Sequence, residues 1–279
     1  MSIELLLTGV LQGLILALVA FGVMVALRLL NFPDLASEGS YPFAGALCSS
    51  LIIMDISPII AVSIATIAAG MVGVATAMIN LKLKINTLLC GIIISTILYS
   101  ANLRIMGKPN IALFNHDILL SGNNILNKIF IMIFIIFIVV FPLALFLKTE
   151  FGLRLRAVGL NIEFCKRQKI SVAKYTLLGL FLAHCYVGMA GSLMVQLQSY
   201  MDIGMGVGIV IHALAALMIG ESVIGNNTLN KQLMAPIVGA LIYQQIQGLA
   251  LVVGFAPSDL KGLTGIVVLG VIALRKNKI

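Results

Sequence analysis

Apolar residues run along this chain in long blocks, and polar residues gather in the short intervals between them. Blocks long enough for a bilayer core of about 30 Å, which takes roughly 20 helical residues, lie near 4–28, 58–81, 86–106, 129–148, 175–195, 203–222, 232–253 and 258–275. A ninth block, at 36–54, is shorter and is interrupted by Gly39, Pro42 and Gly45. The pattern predicts an all-α fold: a polytopic transmembrane helical bundle of about nine spans. Inside the blocks the spacing is helical. Ala61, Ala65, Ala69, Gly73 and Ala77 recur every fourth residue, a smooth strip on which another helix can pack closely, and Gly9 and Gly13 form a GxxxG pair. Ser95, Tyr99 and Asn102 share one face of the fourth span, and Tyr243, Gln244 and Gln247 lie near the middle of the eighth. Both strips should turn away from lipid, toward another helix or toward a solute path. His184 and His212 stand isolated on apolar faces and read as satisfied packing histidines.

The stretch 31–47, NFPDLASEGSYPFAGAL, breaks this pattern. Asp34 and Glu38 are four residues apart and would share a helix face; Pro33 suits a first turn, and Asp34 or Ser37 can cap it. A carboxylate at the bilayer centre costs about 2.5–3.5 kcal/mol on insertion scales, so Glu38 must sit near an interface, find a donor or face a wet cavity. Short spans broken by Pro and Gly are also how transporters expose helix ends at a binding site.

With 61% apolar and 10% charged residues and a mean hydropathy of +1.13, the chain is not a soluble domain. Its net charge of +8 would suit nucleic acid, but the positions of the basic residues point to membrane topology instead. With nine crossings, 14 of the 18 Lys and Arg fall on one side and Arg104, Lys108, Lys128 and Lys261 on the other. The positive-inside rule then puts the N-terminus outside and the C-terminus inside; a re-entrant 36–54 would move the N-terminus inside. The start MSIELLLTG has neither the basic residues nor the cleavage pattern of a removable signal peptide. Cys48, Cys90, Cys165 and Cys185 form no CxxC and have no His at ligand spacing, so we expect packing cysteines and no metal site.

Two connections are long. GKPNIALFNHDILLSGNNILNK, 107–128, is polar and turn-rich, with room for a short interfacial helix under NIALF. KTEFGLRLRAVGLNIEFCKRQKISVAKY, 148–175, is strongly basic, and LRLRAVGLN and EFCKRQKI can each supply a short amphipathic face for a cytosolic partner. The sequence has no GxxxxGK[ST], HExxH or GxSxG, so no catalytic residue is expected, and energy for active transport would enter through a partner or an ion gradient.

Three segments carry a resemblance. LRLLNFPDLASEGSYPFAGAL, KLKINTLLCGIIISTILYSANLRIMGKPNIAL (82–113) and FGLRLRAVGLNIEFCKRQKI (151–170) resemble bacterial ABC-importer permeases of the branched-chain amino acid/ribose type, in particular their subgroup linked to tryptophan/tyrosine or to uncharacterised substrates. The resemblance covers nearly the whole chain. It implies a single permease domain, 1–279, in the bacterial cytoplasmic membrane. The partners it implies are a second permease copy, two cytosolic ABC ATPase subunits, an extracytoplasmic solute-binding protein and membrane lipid, with no nucleic acid. ATP and Mg would bind the ATPase and no cofactor this chain. The solute would be a small molecule, an aromatic or branched-chain amino acid leading. By the resemblance Pro33, Asp34, Glu38, Gly39 and Ser40 would line or shape the path; the polar strips Ser95, Tyr99, Asn102 and Tyr243, Gln244, Gln247 are path candidates by their spacing alone. Within the coupling segment 150–174, Gly152, Arg154, Arg156, Gly159 and Asn161 would lead into a coupling helix around 161–170 that includes Lys166 and Arg167. The family's small, Ala-rich stretch is replaced there by Phe164, Cys165, Lys166, Arg167 and Gln168. The alternative class is an ion-coupled secondary transporter using Asp34, Glu38 or His212 as proton carriers.

Overall fold

The computed structural model describes residues 3–122, 124–256, 259, 260, 262, 264–267, 269 and 270. Its labelled helices are α1 (Ile3–Val23), α2 (Ser37–Ile53), α3 (Pro58–Leu83), α4 (Thr87–Met106), α5 (Ile125–Lys148), α6 (Glu150–Leu160), α7 (Ile162–Arg167), α8 (Val172–Gln198), α9 (Ile209–Ile224) and α10 (Leu229–Val253). α1 runs on into a π-helical turn, Met24–Leu29, and a 3-10 turn, Ile203–Gly206, precedes α9. Among the described residues, seven stretches are long and apolar enough to cross a membrane: Ile3–Leu29, Pro58–Leu83, Thr87–Met106, Ile125–Lys148, Val172–Gln198, Ile203–Ile224 and Leu229–Val253. α2, at 17 residues, covers only about 25 Å at 1.5 Å per residue. Half of the expected last span, 258–275, lies outside the described residues, as does the end of the chain.

Local sequence sets where the helices begin and stop. Asn86 accepts a 2.9 Å bond from Leu88 N–H at the start of α4, and Gly107, at φ +67°, ends that helix in the left-handed region. Pro58 opens α3, where a missing N–H costs nothing. The connection 107–128 differs from expectation. Asn110–Ala112 is a strand (β1) pairing antiparallel with Tyr200–Asp202 (β2), where a helix under NIALF was expected. Ile111 is buried opposite Met201 between two exposed neighbours, a period of two rather than 3.6. Leu113 N–H extends the pairing to Ser199 O, and Leu119 N–H reaches Gln196 Oε1 at 2.7 Å.

The chain forms two compact units. One holds the described residues of Met1–Ala20, Gly122–Ala144 and Gly208–Ile279. In it the Gly9/Gly13 face of α1 lies on α10, with Gly13 against the Leu241 backbone, and α9 meets α10 where Gly220 faces Ala235 O and Gly239 faces Ala216 O. The other unit, Phe21–Ser121 and Leu145–Val207, is built around α8. The small strip of α3 packs there as expected: Ala61, Ala65, Ala69 and Ala77 are fully buried, Gly73 abuts Leu180 O, and Gly188 of α8 meets Ala69 Cβ. On another side of α8, Gly191 receives the Tyr41 carbonyl of α2.

A methyl group at Gly191 would collide with backbone, which cannot rotate away. We expect Gly191→Ala to cost about 1–3 kcal/mol by overpacking. Gly248→Ala, whose new Cβ would stand 3.7 Å from Leu5 Cδ2, should be neutral or slightly stabilising. Thermal unfolding midpoints of the detergent-solubilised variants check the contrast.

Candidate functional site

The helical run from Ile3 ends at Leu29, and α2 does not begin until Ser37. Between them Asn31 takes a left-handed φ of 52°, while Phe32 N–H bonds to Ala26 O at 2.8 Å. Leu30, Phe32, Asp34 and Ala36 are buried. Asp34 shapes the entry to α2. Its Oδ1 accepts a 2.8 Å bond from Ala36 N–H, which closes a turn ahead of the helix. Two expectations need correcting. Pro33 lies four residues before the first helical residue rather than in the first turn, and the N-cap position belongs to Ala36, not to Asp34 or Ser37. The Asp34 turn makes the chain's bend, so the helix starts after it.

The other Asp34 oxygen identifies a residue that sequence reasoning read differently. Oδ2 lies 2.6 Å from His184 Nε2, and His184 Nδ1 lies 2.9 Å from Ser40 Oγ. His184 is therefore not isolated: its nitrogens are satisfied, as expected, but by a carboxylate and a hydroxyl from α2 and its entry turn. The imidazole and the Asp34 side chain are essentially without solvent contact, at 0% and 1%. Each ring nitrogen thus has an oxygen partner, and the ring's tautomer decides which of the two donates. The one available signal was general: an Asp and a His, both within apolar stretches, each need a polar partner.

Beside this cluster lies a cavity of about 350 Å³ between α2, α4 and the 3-10 turn. Glu38, Ser95, Thr96, Tyr99, Ser100 and Asn102 supply its polar lining; Pro42, Ile203 and Val207 supply apolar wall. Gly39 lets the helices meet here, since a Cβ on it would stand 2.7 Å from Ser95 Cα. Asn102 is 1% exposed, and its Oδ1 is buried without a hydrogen-bond partner among the described residues. Four expected path residues, Glu38, Ser95, Tyr99 and Asn102, thus come together. Asp34 and Ser40 instead converge on His184. Thr96 and Ser100, next to the predicted strip on α4, were missed because a strip at i, i+4, i+7 takes in only part of a cavity wall.

Tyr243, Gln244 and Gln247 lie in the other unit and make side-chain bonds there. Tyr243 Oη is 2.6 Å from Thr264 Oγ1, Gln247 Nε2 donates to Tyr243 Oη at 2.6 Å, and Gln244 Nε2 donates to Gln12 Oε1 at 2.6 Å. His212 packs on the Tyr243 ring, with centroids 5.8 Å apart.

The basic segment folds as two helices. α6 is capped by Thr149, and two of its glycines allow close approaches, Gly152 to the Leu147 backbone and Gly159 to Leu29 O. Asn161 ends α6 and caps α7, accepting from Phe164 N–H at 2.9 Å. α7 is shorter than the helix expected around 161–170. Lys169 turns left-handed at φ 57°, and Ile170 N–H closes back on Cys165 O at 2.9 Å, an i to i−5 bond that ends a helix. Arg156 donates to Leu147 O, near the end of α5, at 3.2 Å, whereas Arg154 is half exposed and pairs with Glu150 at 3.1 Å. Tyr175 and then Glu150 hold the Arg154 guanidinium above its already high ordinary pKa, so it stays charged at any working pH. Lys166 pairs with Glu163 at 2.7 Å on the surface.

Apolar membrane-length helices, a buried polar entry to α2 and a polar cavity define a multi-pass membrane permease. The chain belongs to the family described as the permease component of the branched-chain amino acid transport system, whose pattern it matches over residues 5–273. It is 36% identical over 262 residues to a tyrosine transport system permease protein of Clostridioides difficile (strain R20291), covering 94% of this chain and 88% of that one. It is 30% identical over 268 residues to an uncharacterized protein of Rickettsia prowazekii (strain Madrid E), covering 95% of both. Its fold is similar to that of a candidate metal-chelate type ABC transporter solved in an inward-facing conformation, with a TM-score of 0.53 at 15% identity, over 99% of this chain and 85% of that one. It is thus a multi-pass inner-membrane protein of a family of transport-system permeases, not of enzymes.

Asp34→Ala should destabilise twice over, by about 0.5–1.5 kcal/mol for the lost turn bond and about 1–3 kcal/mol for the His184 Nε2 left without its partner. Asp34→Asn keeps the acceptor for Ala36 N–H and should lose less. The yield of monodisperse protein and its unfolding midpoint read both effects.

Proposed function

We propose that two copies of this permease form the path, that two cytosolic ABC ATPase subunits drive it, and that an extracytoplasmic binding protein delivers an amino acid, aromatic or branched-chain. The aromatic preference follows the tyrosine transport permease to which the chain is similar. ATP and Mg act on the ATPase, and this chain supplies no chemistry. We place nine crossings in a single permease domain, 1–279, with the N-terminus outside and the C-terminus inside. The 14-to-4 basic asymmetry supports this placement, as do the seven apolar stretches, α2 and the run at 258–275. Family membership leaves the ion-coupled alternative without an observation in its favour.

The observation that carries the path assignment is the cavity itself: Glu38 and Asn102 line a space of about 350 Å³ walled by four hydroxyl-bearing residues of α4. A carboxylate accepts hydrogen bonds and carries negative charge, so Glu38 suits the ammonium group of an amino acid. Asp34 and Ser40 then shape the path rather than line it. Tyr243, Gln244 and Gln247 are kept as path candidates on their polarity. Coupling falls to the basic segment 150–174. Within it α7 bears Lys166 and Arg167, while Gly152, Arg156, Gly159 and Asn161 set its geometry and Arg154 offers an exposed charge.

Glu38→Gln keeps shape and removes charge, so assembly should persist while uptake of radiolabelled tyrosine into proteoliposomes falls about tenfold or more. Normal uptake by a folded variant would remove Glu38 from the path. Arg154→Glu should leave the permease folded, because Arg154 is half exposed and its ion pair lies within its own helix, yet strip the complex of ATPase subunits or of solute-stimulated ATP turnover. Co-purification and an ATPase assay distinguish the two.

A further inference from the structure

We propose that His184 is a positioning residue of the translocation path: by holding Asp34 and Ser40 on either side of Glu38, its imidazole fixes the first turn of α2 and hence the wall of the cavity. The inference rests on the cavity being the path.

The geometry is specific. Asp34 lies four residues before Glu38 and Ser40 two after it, and one ring grips both, through Nε2 at 2.6 Å and Nδ1 at 2.9 Å. The backbone between them is already committed to the turn: Glu38 N–H bonds to Leu35 O at 3.1 Å, and Gly39 and Ser40 N–H bond to Ala36 O at 3.0 and 2.9 Å. Asp34 is tied into the same turn through Ala36 N–H. The grip on 34 and 40 therefore fixes the residue between them. His184 sits at the middle of the 27-residue α8 and is absent from the cavity lining, so it acts on the cavity only through α2. The ring is itself confined. A Cβ on Gly73 would come within 2.7 Å of its Cδ2, so α3 forms a wall behind it and only a glycine leaves it room. A pure packing role would be filled by an apolar residue of similar volume without the cost of burying a polar ring. Here both nitrogens are spent on the one turn that carries Glu38.

The test needs no identified solute. In full-length permease freed of its four native cysteines, a single cysteine is placed at 38 or, as a control on α4, at 96, and its reaction rate with methanethiosulfonate ethylammonium is measured. Thiol reaction depends steeply on placement, so His184→Ala should change the rate at 38 by about fivefold or more while leaving that at 96 within about twofold. His184→Gln, which can still donate to Asp34, should restore most of the parent rate, and Ser40→Ala should give a smaller change in the same direction. If His184→Ala does not fold, the Gln and Ala variants at 184 and 40 carry the comparison. Unchanged rates at 38 in folded variants would overturn the proposal, as would equal changes at 38 and 96, which mean general loosening. A shift confined to 38 together with normal uptake by Glu38→Gln would support the hold of His184 on α2 and overturn the path reading instead.

Discussion

Backbone packs directly against backbone around α8, and the rest of its unit depends on that closeness. Leu180 O lies on Gly73 of α3, the Tyr41 carbonyl of α2 lies on Gly191, the side chain of Leu30 fills the notch at Gly179, and Ala183 O of α8 lies on Gly22. In a bilayer, where lipid tails are as apolar as side chains, van der Waals fit of this kind replaces the hydrophobic drive that assembles soluble bundles. The same closeness brings α2 and its entry turn within hydrogen-bond reach of a side chain from the middle of α8. With bulky residues on these faces, Asp34 would have no partner and the irregular stretch before Ser37 no cover.

That irregular stretch shows how a non-helical segment survives among apolar helices. Backbone that leaves the helix in a membrane protein must be buried in protein or line a cavity. Here Phe32 N–H is taken up by the π-helical turn, Ala36 N–H by Asp34, and Leu29 O meets Gly159 of α6. The last contact links the entry to α2 with the basic segment, so the proposed coupling region and the proposed path wall share one short piece of chain.

Periodicity made the helical architecture legible, because apolar blocks of membrane length leave few alternatives. The alanine strip of α3 and the GxxxG pair of α1 declared their packing faces in the same way. Glu38 and the Ser95, Tyr99, Asn102 strip were also readable as neighbours of something polar, since a carboxylate and an amide in apolar spans demand it. The partnership of His184 was not readable. It joins residues 150 apart, and nothing in the local spacing of either says which distant group will meet it. β1 was missed because three residues among turn formers carry too short a pattern, and their strand identity comes from Tyr200–Asp202, not from themselves. The end of α7 depended on a left-handed lysine, a conformation that favours Gly or Asn and so gave no warning at Lys169.

The 150-residue separation of Asp34 and His184 also bears on the order of biosynthesis. At about 5–20 residues per second, a ribosome needs roughly 8–30 s to reach the histidine after making the aspartate. Throughout that interval α2 and its entry, carrying two carboxylates and two prolines in 33–42, have no partner for the buried acid. Its final seat exists only once α8 has been made, so the contact that satisfies Asp34 is among the later ones the chain can form.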